Sequence, residues 1–214
     1  MTSDHPGPRP PRPLLSRRSE ERLGPRHREV LDQLEALFLE GGFAGVTVGE
    51  LAAGVGCSRR TLYEIAPSKD DLVLVVLDRF LHRVGRSALG AIDPDAPIAR
   101  QIGDYFRGGM ELHRLSTVLA DDLDDRPAAR RLLDQHMRHV MAVVERLVEA
   151  GVERGELRPT PPALVAGVLT GSALYLTQPD VTADLDLPRD QLTDELIDLV
   201  LRSIVRRPDD REAH

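Results

Sequence analysis

Two helix-start signals with a glycine between them constrain this chain more than any other feature. Thr47 and Glu50 match the capping box, in which a threonine and a glutamate three residues later satisfy each other's backbone N–H groups. Gly56 is suited to end that helix, because glycine adopts a positive φ without steric cost. Ser58 can cap a second helix over Arg59–Ile65. Two short helices joined by a tight, glycine-containing turn are typical of the helix-turn-helix motif, whose second helix enters the DNA major groove.

The second helix of this pattern has distinct inward and outward sides. Leu62 and Ile65 are the apolar residues expected to face a core. The residues left to face outward are Arg59, Arg60, Thr61 and Tyr63. Ser68 and Asp71 repeat the capping pattern directly afterwards, so another helix is expected to begin at about Lys69.

The segment from about Arg28 to Leu72 resembles the TetR (tetracycline repressor) family of bacterial regulators. The matching residues are Phe38, Gly42, Phe43, Thr47, Val48, Leu51, Ala52, Val55, Gly56, Ser58, Thr61, Leu62, Tyr63, Ser68, Lys69 and Leu72. The resemblance implies DNA contacts from Thr47, Ser58, Arg59, Arg60, Thr61, Tyr63 and Lys69. The chain departs from the family pattern at Arg60, usually a small residue, and at Ala66, usually an aromatic one. The first departure predicts distinctive groove contacts, and the second predicts weaker packing beside the helix that begins at Lys69.

The composition favours an all-α fold and an intracellular protein. Aromatic residues make up only 3% of the 214 residues and tryptophan is absent, so the core must consist mainly of leucine, valine and alanine. Cys57 is the only cysteine, which rules out an internal disulfide and suits a reducing cytoplasm. The longest wholly apolar run, residues 72–77, is too short to span a membrane. No secretory signal is evident at the amino terminus, and we expect a cytoplasmic location.

The net charge of −7 is unevenly distributed. Residues 1–70 hold 10 basic and 10 acidic residues, whereas residues 71–214 hold 18 basic and 25 acidic ones. DNA phosphates repel the acidic part, so we expect DNA to meet only the amino-terminal end. Lys69 is the only lysine among the 28 basic residues, which fits a role at that position.

Apolar periodicity predicts about nine helices and no strand. Besides the two short helices and the one from Lys69 to Leu89, we expect helices over Pro25–Glu40, Ile98–Arg114, Ser116–Asp122, Pro127–Gly155, Pro162–Thr177 and Arg189–Arg206. The predicted domains are a disordered Pro- and Arg-rich tail (1–22), a helix-turn-helix domain (23–68), a regulatory and dimerisation domain (69–207) and a short tail (208–214). The first tail is either a solvated extension or an arm that touches DNA.

The last two predicted helices indicate a homodimer. Small residues four apart on the first of them allow another backbone to approach closely. The last helix is apolar on more than one side, so a partner subunit is the simplest cover for it. The predicted interface residues are Gly167, Gly171, Leu192, Leu196, Leu199, Val200 and Ile204. In the family that the chain resembles, the last two helices form a four-helix dimer bundle.

The same resemblance implies a pocket for a small effector within the carboxy-terminal helices. The candidate ligand-binding residues are Tyr105, Phe106, Met110, His113, Leu119, Met137, Met141 and Tyr175. Each of them also fits a plain core position. Charged residues are scarce on these stripes, which favours an apolar or weakly polar effector.

Three other patterns have plainer explanations. The Asp121–Asp125 run formally matches the diphosphate-binding motif of terpenoid synthases, but a second carboxylate cluster is absent and the aspartates suit the cap of the next helix. His136 and His139 with Asp134 could form part of a metal site, yet further ligands do not stand out. Cys57 could act as a redox switch only if its thiol were accessible and acidified. We therefore predict no catalytic residues, no metal site and no cofactor.

These observations predict a ligand-responsive transcriptional regulator that binds a pseudo-palindromic operator as a homodimer, most simply as a repressor. The expected partners are double-stranded DNA, a second copy of the chain and a small effector, with no membrane. An activator and a ligand-independent DNA-binding protein remain alternatives, and a magnesium-dependent helical enzyme using Asp121–Asp125 is a more distant one.

Overall fold

The computed structural model describes residues 8–112, 126–176, 181 and 187–206. Within these residues the chain forms nine helices, and its extended backbone makes a single antiparallel bridge, between Leu157 and Val205. The helices are α1 (Arg17–Arg22), α2 (Pro25–Gly41), α3 (Val48–Gly54), α4 (Arg59–Ile65), α5 (Lys69–Gly90), α6 (Ile98–Gly108), α7 (Pro127–Glu153), α8 (Pro162–Leu176) and α9 (Arg189–Ile204). The prediction of an all-α fold is confirmed.

The predicted helix over Ser116–Asp122 and the predicted tail over 208–214 lie outside the described residues. The helix predicted over Ile98–Arg114 is shorter than expected and ends at Gly108. Gly108 and Gly109 are consecutive glycines, which are poor helix formers, and the N–H of Gly109 makes the last helical bonds, to the carbonyls of Tyr105 and Phe106 at 3.1 Å each.

The prediction of a wholly disordered tail before residue 23 is wrong for α1. Ser16 caps this helix, since its hydroxyl accepts a hydrogen bond from the N–H of Ser19 at 3.1 Å. The preceding backbone is held by Leu14, whose N–H donates to the buried carboxylate of Asp78 at 2.8 Å. Asp78 lies on α5, far along the sequence, so the sequence of the proline-rich tail alone does not predict this contact.

The chain divides into two compact units, which are described separately. The first comprises Arg12–Arg83 and Arg114–Gln135. It is larger than the predicted domain 23–68, since it also holds the first part of α5. Its largest fully buried side chains are Leu31, Leu34, Phe38, Phe43, Leu51, Leu62, Leu72 and Phe80.

Aromatic and charged contacts join the helices of the first unit. The rings of Phe38 and Phe43 meet edge to face with centroids 5.4 Å apart. The carboxylate of Glu35 on α2 accepts a hydrogen bond from Arg83 on α5 at 2.6 Å. Arg126, just before α7, is bonded to Asp70 and lies over the Phe43 ring at 5.1 Å from its centroid. These contacts join α5 and Arg126 to α2 and to Phe43, which follows it.

The second unit comprises Met1–Pro11, Val84–His113 and His136–His214. In its described part, α9 packs against both α6 and α8. The core of this unit is formed by Ala88, Ile98, Ile102, Tyr105, Val143, Val144, Val148, Leu157, Val165, Ala166, Leu169, Ile197, Leu201 and Ile204. No helix of the described residues combines the length and apolarity that crossing a bilayer requires.

Gly108 provides a test of the packing in the second unit. A Cβ at this position would lie 2.9 Å from the Cα of Ala88 and 2.9 Å from the carbonyl oxygen of Ser87. Because backbone atoms cannot yield as a flexible side chain can, we expect Gly108→Ala to lower the free energy of unfolding by about 1–3 kcal/mol. The measurement is urea-induced unfolding followed by circular dichroism.

Gly85→Ala on α5 is the matched control, since nothing lies within 4 Å of its Cβ position. Alanine is the better helix former, so this variant should be as stable as the parent or more so. Equal stability of the two variants would contradict the close approach at Gly108.

Candidate nucleic-acid interface

The predicted capping box at the start of α3 is confirmed. The hydroxyl of Thr47 accepts from the N–H of Glu50 at 3.2 Å, and the carboxylate of Glu50 accepts from the N–H of Thr47 at 2.7 Å. The pKa of Glu50 is lowered chiefly by the backbone and side-chain hydrogen bonds from Thr47, and further by the charge of Lys69. Thr47 and Lys69, both predicted to contact DNA, therefore flank the same carboxylate.

A tight turn joins α3 to α4. Gly56 has a φ of +57°, as the sequence pattern predicts, and the N–H of Cys57 donates to the carbonyl of Ala52 at 2.9 Å. The guanidinium of Arg26 on α2 donates to the carbonyl of Gly56 at 2.8 Å, a contact not predicted from the sequence. The turn is thus closed by its own backbone and held from outside by a side chain.

The helix α4 presents its polar residues to solvent. Ser58 caps it, accepting from the N–H of Thr61 at 3.1 Å. Leu62 and Ile65 are buried as predicted. The Arg60 side chain is 88% exposed and Tyr63 is 51% exposed. Arg59 and Ser58 are also exposed, and Thr61 is half-buried.

Arg59 lies across the backbone of α3 at Gly49. A Cβ built on Gly49 would come within 2.5 Å of Nη2 of Arg59 and 3.1 Å of its Cζ. Because Gly49 has no side chain, the guanidinium of Arg59 can lie against the backbone of α3 at this position. Sequence analysis missed this role, and its only available signal was a glycine inside a helix, where alanine is favoured.

Sequence analysis also missed two residues beside Arg60, namely Glu64 on α4 and His27 on α2. Glu64 Oε1 accepts from Arg60 Nε at 3.1 Å, and Glu64 Oε2 accepts from His27 Nε2 at 3.3 Å. The i, i+4 spacing of Arg60 and Glu64 was the signal that could have found the first pair. The contact with His27 joins α4 to α2 and has no local signal.

The residues at the start of α5 also follow the predicted pattern. The hydroxyl of Ser68 accepts from the N–H of Asp71 at 3.1 Å and donates to its carboxylate at 2.6 Å. Lys69 is the first residue of the helix and is half-buried. Ala66, one of the departures from the family pattern, is buried.

The predicted effector-binding residues do not form one described site. Tyr105 is buried and meets Phe106 edge to face at 6.0 Å between centroids, and Met141 packs against the same core. Burial raises the pKa of Tyr105. Met110 and Met137 are half-buried, whereas Tyr175 is 59% exposed. His113 and Leu119 lie outside the described residues.

A surface groove of about 520 Å³ lies between α6 and α9, and its lining includes none of the predicted ligand-binding residues that the structure describes. Ion pairs of Arg107 with Asp104 and Asp194, and of Arg202 with Asp198, border it. The lining residues are Ala99, Gly103, Arg107, Asp194, Ile197, Asp198, Leu201, Arg202 and Val205.

The predicted dimer residues fall into two groups. Leu192 and Ile204 are buried inside the protomer, so including them in the interface was wrong, because α9 turns these residues towards its own core. Leu199 is 71% exposed, and Leu196 and Val200 are half-buried. Gly167 and Gly171 have open space where a Cβ would lie. The structure adds three exposed apolar residues of α8, namely Leu164, Val168 and Tyr175.

The remaining sequence candidates have different surroundings. Residues 121–125 lie outside the described part of the chain. His136 is buried, His139 is half-buried and Asp134 is exposed. Burial raises the pKa of the Cys57 thiol, which disfavours the thiolate that a redox switch requires.

The geometry of α3, the turn and α4 defines a class of protein. Two short helices joined by a closed glycine turn, the second with exposed arginine, threonine and tyrosine side chains, form a helix-turn-helix DNA-binding domain. The family model described as bacterial regulatory proteins, tetR family, matches residues 30–76, which include all three features.

Comparisons with known proteins extend this likeness beyond residues 30–76. The chain is 29% identical over 144 residues to the HTH-type transcriptional regulator EthR of Mycolicibacterium smegmatis, spanning 65% of this chain and 66% of EthR. It is 27% identical to the HTH-type transcriptional repressor KstR2 of Mycobacterium tuberculosis, over 63% of this chain and 70% of KstR2. The fold matches that of AibR in complex with isovaleryl coenzyme A and operator DNA, with a TM-score of 0.61, 17% identity and coverage of 81% and 97% of the two chains.

Residues 30–76 thus form a domain of the tetR family of bacterial regulatory proteins, and over about two thirds of its length the chain is similar to regulators of transcription. The relatives are named as regulators of transcription, so the predicted class, a regulator and not an enzyme, is confirmed.

Gly49 provides a test of the arrangement around Arg59. We expect Gly49→Ala to displace the guanidinium while leaving the fold intact, because the crowded atoms are the far end of a flexible side chain. Affinity for cognate DNA, measured by fluorescence anisotropy, should fall by about tenfold if one good contact is lost.

Gly41→Ala at the end of α2 is the control, because its Cβ meets nothing within 4 Å. It should bind DNA like the parent. An equal affinity for both variants would show that the position of Arg59 does not matter for binding.

Proposed function

We propose that the protein is a homodimeric repressor that binds a pseudo-palindromic operator and is released by a small-molecule effector. The observation that carries this proposal is the exposed polar face of α4 on a closed turn. In a homodimer, two such helices would enter successive major grooves about 34–36 Å apart. Such a regulator acts in the cytoplasm, where its operator lies.

The DNA contacts divide into two kinds in this proposal. Arg60, with Arg59, is suited to contact guanine, since each guanidinium can donate two hydrogen bonds to O6 and N7. Ser58, which caps the helix, and Thr61 on it would lie within reach of the groove. Thr47, Tyr63 and Lys69 would bind phosphates and fix the register of the helix without reading sequence.

The proposed dimer interface uses the exposed apolar face formed by α8 and α9. Leu164, Val168, Gly171 and Tyr175 follow one another at intervals of four, three and four residues, which places them on one side of α8. Leu199 on α9 is also exposed. Clustered exposed apolar side chains mark interaction surfaces. Gly167 and Gly171 would allow a partner helix to approach closely.

The effector is the least constrained part of the proposal. The AibR structure contains both isovaleryl coenzyme A and operator DNA, so one protein of this fold binds a small molecule as well as DNA. For this chain we propose an apolar or weakly polar effector near Tyr105, Phe106 and Met141, within the domain over 69–207. It would release DNA only if it bound the DNA-free conformation more tightly.

Selection of bound fragments from random double-stranded DNA tests the proposal directly. A repressor of this kind should enrich an inverted repeat whose halves are about one helical turn apart. Enrichment of no shared sequence would overturn it. Transcription from the neighbouring promoter in a deletion strain would then separate a repressor, whose loss raises expression, from an activator.

The phosphate contacts should be separable from base readout. We expect Lys69→Ala and Tyr63→Phe to weaken binding equally for cognate and non-cognate DNA. Removing the Lys69 charge should also reduce the slope of log affinity against log salt by about 0.9, since one fewer counterion is released. Unchanged affinity in both variants would count against these roles.

The interface should be sensitive to a charge at Leu199. Because this side chain is exposed in the protomer, Leu199→Glu should leave the protomer folded but separate the dimer, as measured by sedimentation velocity. Leu89→Glu is the matched control, since Leu89 is an exposed leucine on α5, outside the proposed interface. A dimer that persists in Leu199→Glu would show that Leu199 is not part of the interface.

A further inference from the structure

We infer that Glu64 is a specificity-determining residue of α4, which acts by positioning Arg60. This inference rests on the proposed function and assigns a residue that the resemblance to the family does not. Arg60 stands where the family usually has a small residue, and Glu64 would keep its guanidinium available for base recognition.

The bond between the two residues restrains a side chain that would otherwise be free to move. Arg60 is 88% exposed, and its Nε atom donates to Glu64 Oε1 at 3.1 Å one helical turn away. The pair engages Nε, whereas the two Nη groups carry donors of the kind that pair with O6 and N7 of guanine. The carboxylate therefore orients the guanidinium and leaves its two Nη groups available to bind a base.

Glu64 is itself fixed in place from α2. Its Oε2 accepts from His27 Nε2 at 3.3 Å, and the His27 side chain is mostly buried. Glu64 thus links α4 to α2. A carboxylate held in this way can set the direction of Arg60, whereas a fully mobile one would only follow it.

The charge of Glu64 gives a physical basis for specificity. Hydrogen bonds from Arg60 and then His27 lower the pKa of Glu64, so the carboxylate is ionised at neutral pH. A negative charge beside Arg60 opposes the approach of a phosphate, which is itself negative, more than that of a guanine edge, which is neutral. Glu64 therefore disfavours non-specific phosphate contacts by Arg60 and preserves its contact with a base.

The test is Glu64→Gln in the full-length protein, with cognate and scrambled duplexes as probes. Without the carboxylate, Arg60 should be free to bind phosphate on any sequence. We expect the ratio of cognate to scrambled affinity to fall by about tenfold, the size of one good base contact. The salt slope on scrambled DNA should become steeper by about 0.9, the value for one added phosphate contact.

Glu40→Gln, which removes one exposed carboxylate from α2, controls for the change in net charge. It should leave the affinity ratio unchanged. Thermal unfolding of each variant separates a loss of specificity from a loss of folded protein. An unchanged ratio and slope in Glu64→Gln would overturn the inference.

A double-mutant cycle with Arg60→Ala tests whether Glu64 acts through Arg60. If it does, Glu64→Gln should change the ratio no further in the Arg60→Ala background. An equal effect in both backgrounds would overturn the positioning role and would indicate that Glu64 accepts directly from a cytosine amino group. Failure of the parent protein to select any sequence would instead overturn the proposed function.

Discussion

The closed turn between α3 and α4 is the constraint on which the DNA-binding surface depends. Gly56 adopts a positive φ, and the carbonyl that it presents is bound by Arg26 from α2. Leu51 before the turn and Leu62 after it are both buried, so the two short helices share one core. Neither helix is long enough to be stable alone. The outward direction of Arg60 and Tyr63 therefore follows from the packing of α2, α3 and α4 together.

Charge is arranged locally and not as a broad basic surface. The first 70 residues are electrically neutral in sum, and the remainder carries the whole net charge of −7. A protein with this balance has little general attraction to DNA, since non-specific binding depends on basic residues that neutralise phosphates. In the proposed function, recognition therefore rests on a few well-held groups, such as Arg59 against Gly49 and Arg60 against Glu64.

Sequence alone predicts the parts of this structure whose cause is local. The capping pairs of Thr47 with Glu50 and of Ser68 with Asp71 span three residues, and both form as predicted. Contacts between distant segments left no such signal: Leu14 meets Asp78, and His27 meets Glu64. The sequence of α9 does not predict which of its residues face a partner, because a helix that is apolar on several sides does not indicate which side the protomer itself covers.

Interference with the guanine N7 acceptor would test most directly whether α4 reads the major groove. In the duplex that the protein selects, single guanines are replaced by 7-deazaguanine, which lacks that acceptor, or by inosine, which lacks the minor-groove amino group. The account predicts that 7-deazaguanine weakens binding at symmetric positions in both half-sites, and that inosine at those positions does not. Loss of binding with inosine alone would place the contacts in the minor groove and would contradict the account.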